Sequence, residues 1–283
     1  MANIKIVTDG SCDFPQEILD IVNPEIVRIN VAFGEDSYVG GVDIDEKTFY
    51  EKMRGCKELP KTSSPSLERF MEVYGNEEYE EIIVFTLTSK LSGTYSNAVI
   101  SKNMYLEDHD YKRIEVIDSE NGSIAVALMI LKTHQLIEAG KNMDEILEAI
   151  EQMKKDMVFY GTLDTLENAI KGGRVNPIAG KLINALNFKV IIKIDEGLVK
   201  PIDKARGESN SLKKLFTYIK NCVDINEIEH KDVIVGHANC PEKAEKVKKF
   251  IVDHYNFEET LVANIGPIMG TFTAEGAILI AVL

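Results

Sequence analysis

Glu81-Ile82-Ile83-Val84-Phe85-Thr86-Leu87 runs directly into Thr88-Ser89-Lys90-Leu91-Ser92-Gly93-Thr94-Tyr95. The first seven residues are the strongest apolar, β-rich run of the chain, and their length suits one buried strand. The next eight are rich in hydroxyls and lead into a helical period from about Gly93 to Tyr105. A buried strand, a donor-rich turn and a helix together form the repeating unit of a parallel α/β sheet. In such sheets ligands collect where strands end and helices begin, because loop donors and helix N-termini converge there.

Working outward, the same unit recurs. Ile4–Thr8 reads as a strand ending in Asp9-Gly10-Ser11, and Ile114–Ile117 as another ending in Asp118-Ser119. Ile26–Phe33 and Ser37–Val39 flank Gly34-Glu35-Asp36, a hairpin signal, while Thr48–Met53 and Leu67–Tyr74 carry helical spacing. Two further helices follow, broken near Gly140. Residues 1–157 are therefore expected to form an N-terminal α/β lobe, a largely parallel sheet with helices on both faces. Residues 158–283 are expected to form a C-terminal α/β lobe with a mixed sheet. There Phe188–Ile194 and Leu198–Ile202 flank Asp195-Glu196-Gly197 as a hairpin. Helices are expected over Ser211–Lys220 and Glu242–Tyr255, and strands over Val233–His237, Thr260–Ile265 and Ala277–Leu283.

Composition narrows the function. Lys+Arg 32 against Asp+Glu 46 leaves a net charge of −14, which repels nucleic acid and anionic membrane surfaces. A small anion can still be held by a few local donors. The longest apolar runs, Ile124–Leu131 and Ala277–Leu283, fall far short of the ~20 residues that span a bilayer. The N-terminus enters a strand-like run with no signal-peptide core, so a cytoplasmic protein is expected. Cys12, Cys56, Cys222 and Cys240 form no C-x-x-C pair and are read as reduced and partly buried, with no metal site.

Ser92 stands at a natural N-cap position, and Gly93 lets a ligand approach the backbone of the first helical turn. From spacing alone, Ser92 capping its own helix is the preferred reading. In Thr62-Ser63-Ser64-Pro65-Ser66, Ser64 suits a cap with Pro65 at the first helical position, which leaves Thr62 and Ser63 without a local role. Lys171-Gly172-Gly173-Arg174, with Lys181 beyond Gly180, fails as a phosphate loop, because six residues rather than four separate Gly173 from Gly180 and Leu182 follows the lysine. A glycine helix cap followed by an exposed Arg174 accounts for it. There is no G-x-S-x-G elbow, Ser211-Leu212-Lys213-Lys214 lies in a charged helix, and His237 reads as structural. The residues offer donors without an acid–base pair. They leave two classes open: a binding protein, or a small-molecule phosphotransferase or hydrolase using the strand-end serines.

In order and spacing the chain resembles the DegV family nearly end to end. The matching stretches are Val7-Thr8-Asp9, Gly40-Gly41-Val42-Asp43-Ile44 with Phe49-Tyr50, and Thr62–Ser66. Further along they are Leu91–Tyr95, Asp118-Ser119, Lys171–Arg174, Lys204-Ala205-Arg206-Gly207 and Ile265-Gly266-Pro267. The resemblance implies two α/β lobes with a long-chain fatty acid in an apolar tunnel between them, bound as a ligand with no further cofactor. It places the carboxylate contacts on Thr62 and Ser92, with Ser63, Gly93, Thr94, Arg174 and Phe272 near the head group or tunnel mouth. This reverses the preference for simple caps. It further implies a non-catalytic carrier that presents its acyl group to a separate ATP-binding fatty acid kinase subunit, with Arg174, Lys204 and Arg206 near the mouth or that partner. Two departures stand out. Gly10 takes the place of a family serine after Thr8-Asp9, and Phe272 aligns with a histidine that organises the carboxylate end, followed by Thr273-Ala274-Glu275-Gly276 in place of a Gly-Pro-Gly run.

Overall fold

The structure, a computed structural model, describes residues 4–56, 58–176, 188–223 and 228–283. Its first half runs β1 (Ile4–Asp9), α1 (Gln16–Val22), β2 (Glu25–Val27), β3 (Asn30–Phe33), β4 (Asp36–Val39), α2 (Glu46–Gly55) and β5 (Lys61–Ser63). It continues through α3 (Leu67–Tyr74), β6 (Glu81–Thr86), α4 (Thr94–Leu106), β7 (Arg113–Asp118), α5 (Ile124–Glu138) and α6 (Met143–Asp156). The strands β2-β1-β6-β7 form a wholly parallel sheet, with Val7 opposite Val84 and Val84 opposite Val116. A parallel sheet is covered on both faces, which is why Ile82–Phe85 can be apolar without alternation. Val7, Ile82 and Val84 pack with Phe70 and Tyr74 of α3 and Ala98 of α4, while Ile6, Ile83 and Phe85 face α5.

The second half runs β8 (Val158–Leu163), α7 (Glu167–Lys171), β9 (Phe188–Asp195), β10 (Leu198–Arg206), α8 (Glu208–Cys222), a 3₁₀ turn (Ile228–His230) and β11 (Asp232–His237). It ends with α9 (Pro241–His254), β12 (Glu259–Asn264), α10 (Pro267–Thr273) and β13 (Ile278–Val282). The order β10-β9-β8-β13-β11-β12 makes a mixed sheet, in which β11 and β12 are the parallel pair. Two α/β lobes with these sheet types match the expectation. The β9–β10 hairpin turns at Glu196-Gly197, and Gly197 is required there twice over. Its φ is +77°, and any Cβ would overlap the hydroxyl of Thr88 in the β6–α4 loop.

Some elements differ from the sequence reading. The run from Ile26 to Phe33 is not one strand: β2 joins β1, whereas β3 pairs with β4 and β5 in a separate antiparallel sheet. Residues 61–63 were not expected to be a strand, nor 267–273 a helix. Cys12 and Cys240 are half-buried, but Cys56 and Cys222 are exposed, and all four are free thiols.

The N-termini of α5 and α10 meet at one buried carboxyl. Asp13 accepts from Ser123 Oγ (2.5 Å) and from the Gly266 N–H (2.7 Å), and Ser123 holds a positive φ of 56° there. Burial pushes the Asp13 pKa up to about 7, against those two hydrogen bonds, and Glu46 and Asp9 push the same way. A carboxyl whose pKa is raised on folding adds stability that is complete below its unfolded value and is lost as pH rises through the folded one. The melting temperature is therefore expected to fall between pH 5 and pH 8. Asp13→Asn, which keeps an acceptor for Gly266 and a donor for Ser123, flattens that fall. An equally steep profile in the variant would remove Asp13 as its source.

Candidate functional site

The β6–α4 loop is fixed by bonds to its neighbours before it presents any side chain. Asp9, desolvated so that its pKa is raised, accepts from the Leu87 N–H (2.7 Å) as well as from Ser11. The Thr88 N–H reaches Asn121 O (2.8 Å), and the Ser89 N–H reaches Asp118 Oδ1 (3.0 Å). The strand ends of β1, β6 and β7 are thus tied into one edge.

On that edge Ser92 is not the N-cap. Gly93 occupies that position and α4 begins at Thr94, so Ser92 stands one residue outside the helix. It still covers a first-turn donor, since its Oγ accepts from the Thr94 N–H (3.3 Å). The same oxygen lies 2.8 Å from Thr94 Oγ1 and 3.1 Å from Ser64 Oγ, so three hydroxyls meet. Ser64 is therefore free of the capping role expected for it. The N-cap of α3 is Ser66, without a side-chain capping bond, because α3 starts only at Leu67. Asn97 Nδ2 donates to Pro65 O (2.8 Å) and Ser101 Oγ to Leu67 O (3.1 Å), which pins residues 64–67 along α4. Thr62 sits on β5 opposite Val31, half-buried, next to exposed Ser63.

These hydroxyls stand at one end of an apolar slot of about 80 Å³. Thr62, Ser63, Ser64 and Ser92 line it, together with Leu87 and Leu91 from the same loop. The opposite wall comes from the six-stranded sheet through Phe159, Leu163, Ile192 and Leu279, and α10 adds Ile268, Met269 and Phe272. Among the described residues that line it, thirteen are apolar, five carry hydroxyls and Arg174 is the single ionisable side chain. Gly93 forms the N-cap beside the slot, and Thr94 is fully buried behind Ser92; neither lines it.

Arg174 is half-buried rather than an exposed charge after a cap. The cap itself is as expected, with Gly172 ending α7 and Gly173 at φ +75°. The Arg174 guanidinium donates to Leu91 O (3.1 Å) and Gly172 O (2.6 Å), and lies 4.9 Å from the Phe272 ring centroid. Phe272 therefore faces the slot with a cation over its ring. The segment containing Gly180, Lys181 and Leu182 lies outside the described residues. Lys204 and Arg206 are exposed on β10 and do not line the slot. His237 is buried at the end of β11, where desolvation lowers its pKa and its Nδ1 accepts from the Cys240 N–H (3.3 Å). Among the described residues the hydrogen-bond partners of Ser92 Oγ are two hydroxyls and one backbone N–H, none of which is a general base. The sheet-side wall was missed in the sequence. Its one signal is the period-two spacing of Phe159 and Leu163, which every core-facing strand shares.

A family model described as "Uncharacterised protein, DegV family" matches residues 3–283. A DegV domain-containing protein of Caldanaerobacter subterraneus subsp. tengcongensis is 34% identical over 236 residues, 81% of each chain. A DegV family protein from Ruminococcus gnavus, refined with vaccenic acid, has a TM-score of 0.91 at 28% identity, covering 98% of this chain and 99% of that one. DegV from Bacillus subtilis, described as a fatty acid binding protein, has a TM-score of 0.87 at 27% identity, with 100% and 99% covered. With the family match spanning nearly every residue and both sheets shared with solved members, the chain belongs to the DegV family.

Proposed function

We propose that the protein binds a long-chain fatty acid, holding its carboxylate at Thr62 and Ser92 and its tail in the apolar slot. The observation that carries this is a slot with apolar walls from the six-stranded sheet, α10 and the β6–α4 loop, lined also by a cluster of hydroxyls beside a helix start. The ligands named for the Ruminococcus gnavus and Bacillus subtilis proteins belong to the same class. Each buried methylene contributes ~0.8 kcal/mol, so about fourteen give roughly 11 kcal/mol before ordering costs. The tail supplies the affinity, and the hydroxyls set which end lies at the mouth. A full acyl chain needs more room than about 80 Å³, and the half-buried lining side chains, Leu91 and Met269 among them, are the ones with the freedom to move for it. The reading includes a lobe boundary at Met157/Val158, a cytoplasmic location and no resident cofactor. Solvent extraction of purified protein followed by mass spectrometry is expected to release a stoichiometric long-chain acid. Palmitate added at a hundredfold excess over Kd should stabilise delipidated protein by about 2.7 kcal/mol. Extracts empty of acyl species, together with an unshifted melting curve, overturn the reading.

Ser92→Ala with Thr62→Val is expected to weaken retention by roughly ten- to a hundredfold, since a hydrogen bond to a charged group contributes about 1.5–3 kcal/mol. Circular dichroism of the same preparation checks that the fold persists. Unchanged affinity in the folded double variant places the carboxylate elsewhere.

The carrier role extends to hand-off, in which a separate ATP-binding kinase subunit phosphorylates the exposed carboxylate. Arg174 is the cation at that end of the slot. A phosphotransferase or hydrolase acting by itself would need a base at Ser92. Homogeneous protein with ATP, magnesium and palmitate is thus expected to make no acyl phosphate, and steady production without a partner sinks the non-catalytic assignment.

A further inference from the structure

Three side chains that line the slot each lie against a glycine. A Cβ added at Gly122 would stand 2.5 Å from Leu87 Cδ1, one at Gly172 would stand 2.6 Å from Phe272 Cε1, and one at Gly161 would stand 2.6 Å from Leu279 Cδ2. Atoms do not pack at such distances, so in each case the missing side chain is what lets the lining residue lie back from the lumen.

Gly161 is the informative one of the three. It lies inside β8, buried, between Phe159 and Leu163, which point to the same face two residues away on either side and both line the slot. In the sheet it is paired with Leu279 of β13 on one side and Ile192 of β9 on the other, and both of these also line the slot. Its backbone is that of an ordinary strand, without the positive φ that calls for glycine. A glycine inside a strand weakens it, so what the position demands is space.

We propose that Gly161 is a positioning residue that sets the bore of the slot through Leu279, and so determines which acyl chains fit. This rests on the fatty-acid reading above. In a slot of about 80 Å³ the displacement of one methyl group is a large change. Leu279 is only 1% exposed and packed in the core on its other sides, so a methyl at residue 161 drives its δ-carbon toward the one open space, the lumen. The tail then loses places along the slot, and each methylene without a place lowers affinity about fourfold. Short chains are affected least.

The test uses the full chain after delipidation, with dissociation constants for laurate, myristate, palmitate and stearate. Gly161→Ala is expected to weaken stearate at least tenfold while changing laurate less than threefold. Adding Leu279→Val, which has no δ-carbon to displace, restores the wild-type ratio. A merely structural role for the glycine would lower stability without changing the ratio and would gain nothing from Leu279→Val. If Gly161→Ala does not fold, Leu279→Val alone serves as the readout, and it is expected to favour stearate over laurate more than wild type does. A folded Gly161→Ala with wild-type chain-length ratios, a double variant that restores nothing, or an unchanged ratio in Leu279→Val overturns this proposal and leaves the fatty-acid reading standing. Wild-type protein that binds none of the four acids overturns both.

Discussion

Helix α5 has no polar face over its first two turns: none of Ile124–Leu131 is more than 5% exposed. A helix that is apolar all round must find cover on every side, and here two sheets provide it. Ile6, Ile83 and Phe85 of the parallel sheet approach from one side, and Phe159, Ile234 and Leu279 of the mixed sheet belong to the same continuous core. The remaining architecture follows from this sandwich. Each sheet has one face committed to α5, so its outer face needs separate helices: α3 and α4 on the first sheet, α8 and α9 on the second. The start of α5, at Ser123, is where Asp13 reaches across to Gly266 and fixes the beginning of α10, which carries one wall of the slot.

The elements legible in the sequence are those whose state is decided locally. Residues 81–87 declare a buried strand by composition alone, and Asp195-Glu196-Gly197 declares a hairpin because Gly197 supplies the positive φ. Lys61-Thr62-Ser63 is short and polar, and becomes a strand only by pairing with residues 30–32, far away in the chain. Helix α10 contains β-branched Ile268 and Thr271 as well as Gly270. It exists because Gly270 lies against the Tyr50 ring and the Gly266 N–H has a buried acceptor. Of the hydroxyls lining the slot, Ser92 was legible because it precedes a helix start, whereas Thr62, in the middle of β5, was named only through the family resemblance. The apolar end could not be read, since Phe159, Ile192 and Leu279 carry the same pattern as any core residue. Ser92 was placed one residue too far into its helix for a similar reason: serine is the better cap by type, but Gly93 holds the position.

The contact between Arg174 and Phe272 gives this molecule a mouth unlike a simple polar opening. A cation over an aromatic face contributes about 0.5–2 kcal/mol, more as water is excluded. The same guanidinium is anchored to two carbonyls, Leu91 O from the parallel-sheet side and Gly172 O from the mixed-sheet side. Its charge is therefore held in place rather than free to wander on a flexible stem. At Phe272 the slot therefore meets a ring whose face is already occupied by that guanidinium.

The slot takes its hydroxyls from β5 and the β6–α4 loop, and most of its apolar wall from strands of the other sheet and from α10. Neither half contains a binding site of its own, so the two halves of the gene are not independent units of inheritance for this activity. A recombinant joining the first half of one relative to the second half of another could keep both sheets and the α5 sandwich and still inherit a head-group end that does not suit its tail wall. The length of chain that fits is then decided in the second half, by the tail wall, while the end of the ligand that is held is decided in the first half, by the hydroxyls of β5 and the β6–α4 loop.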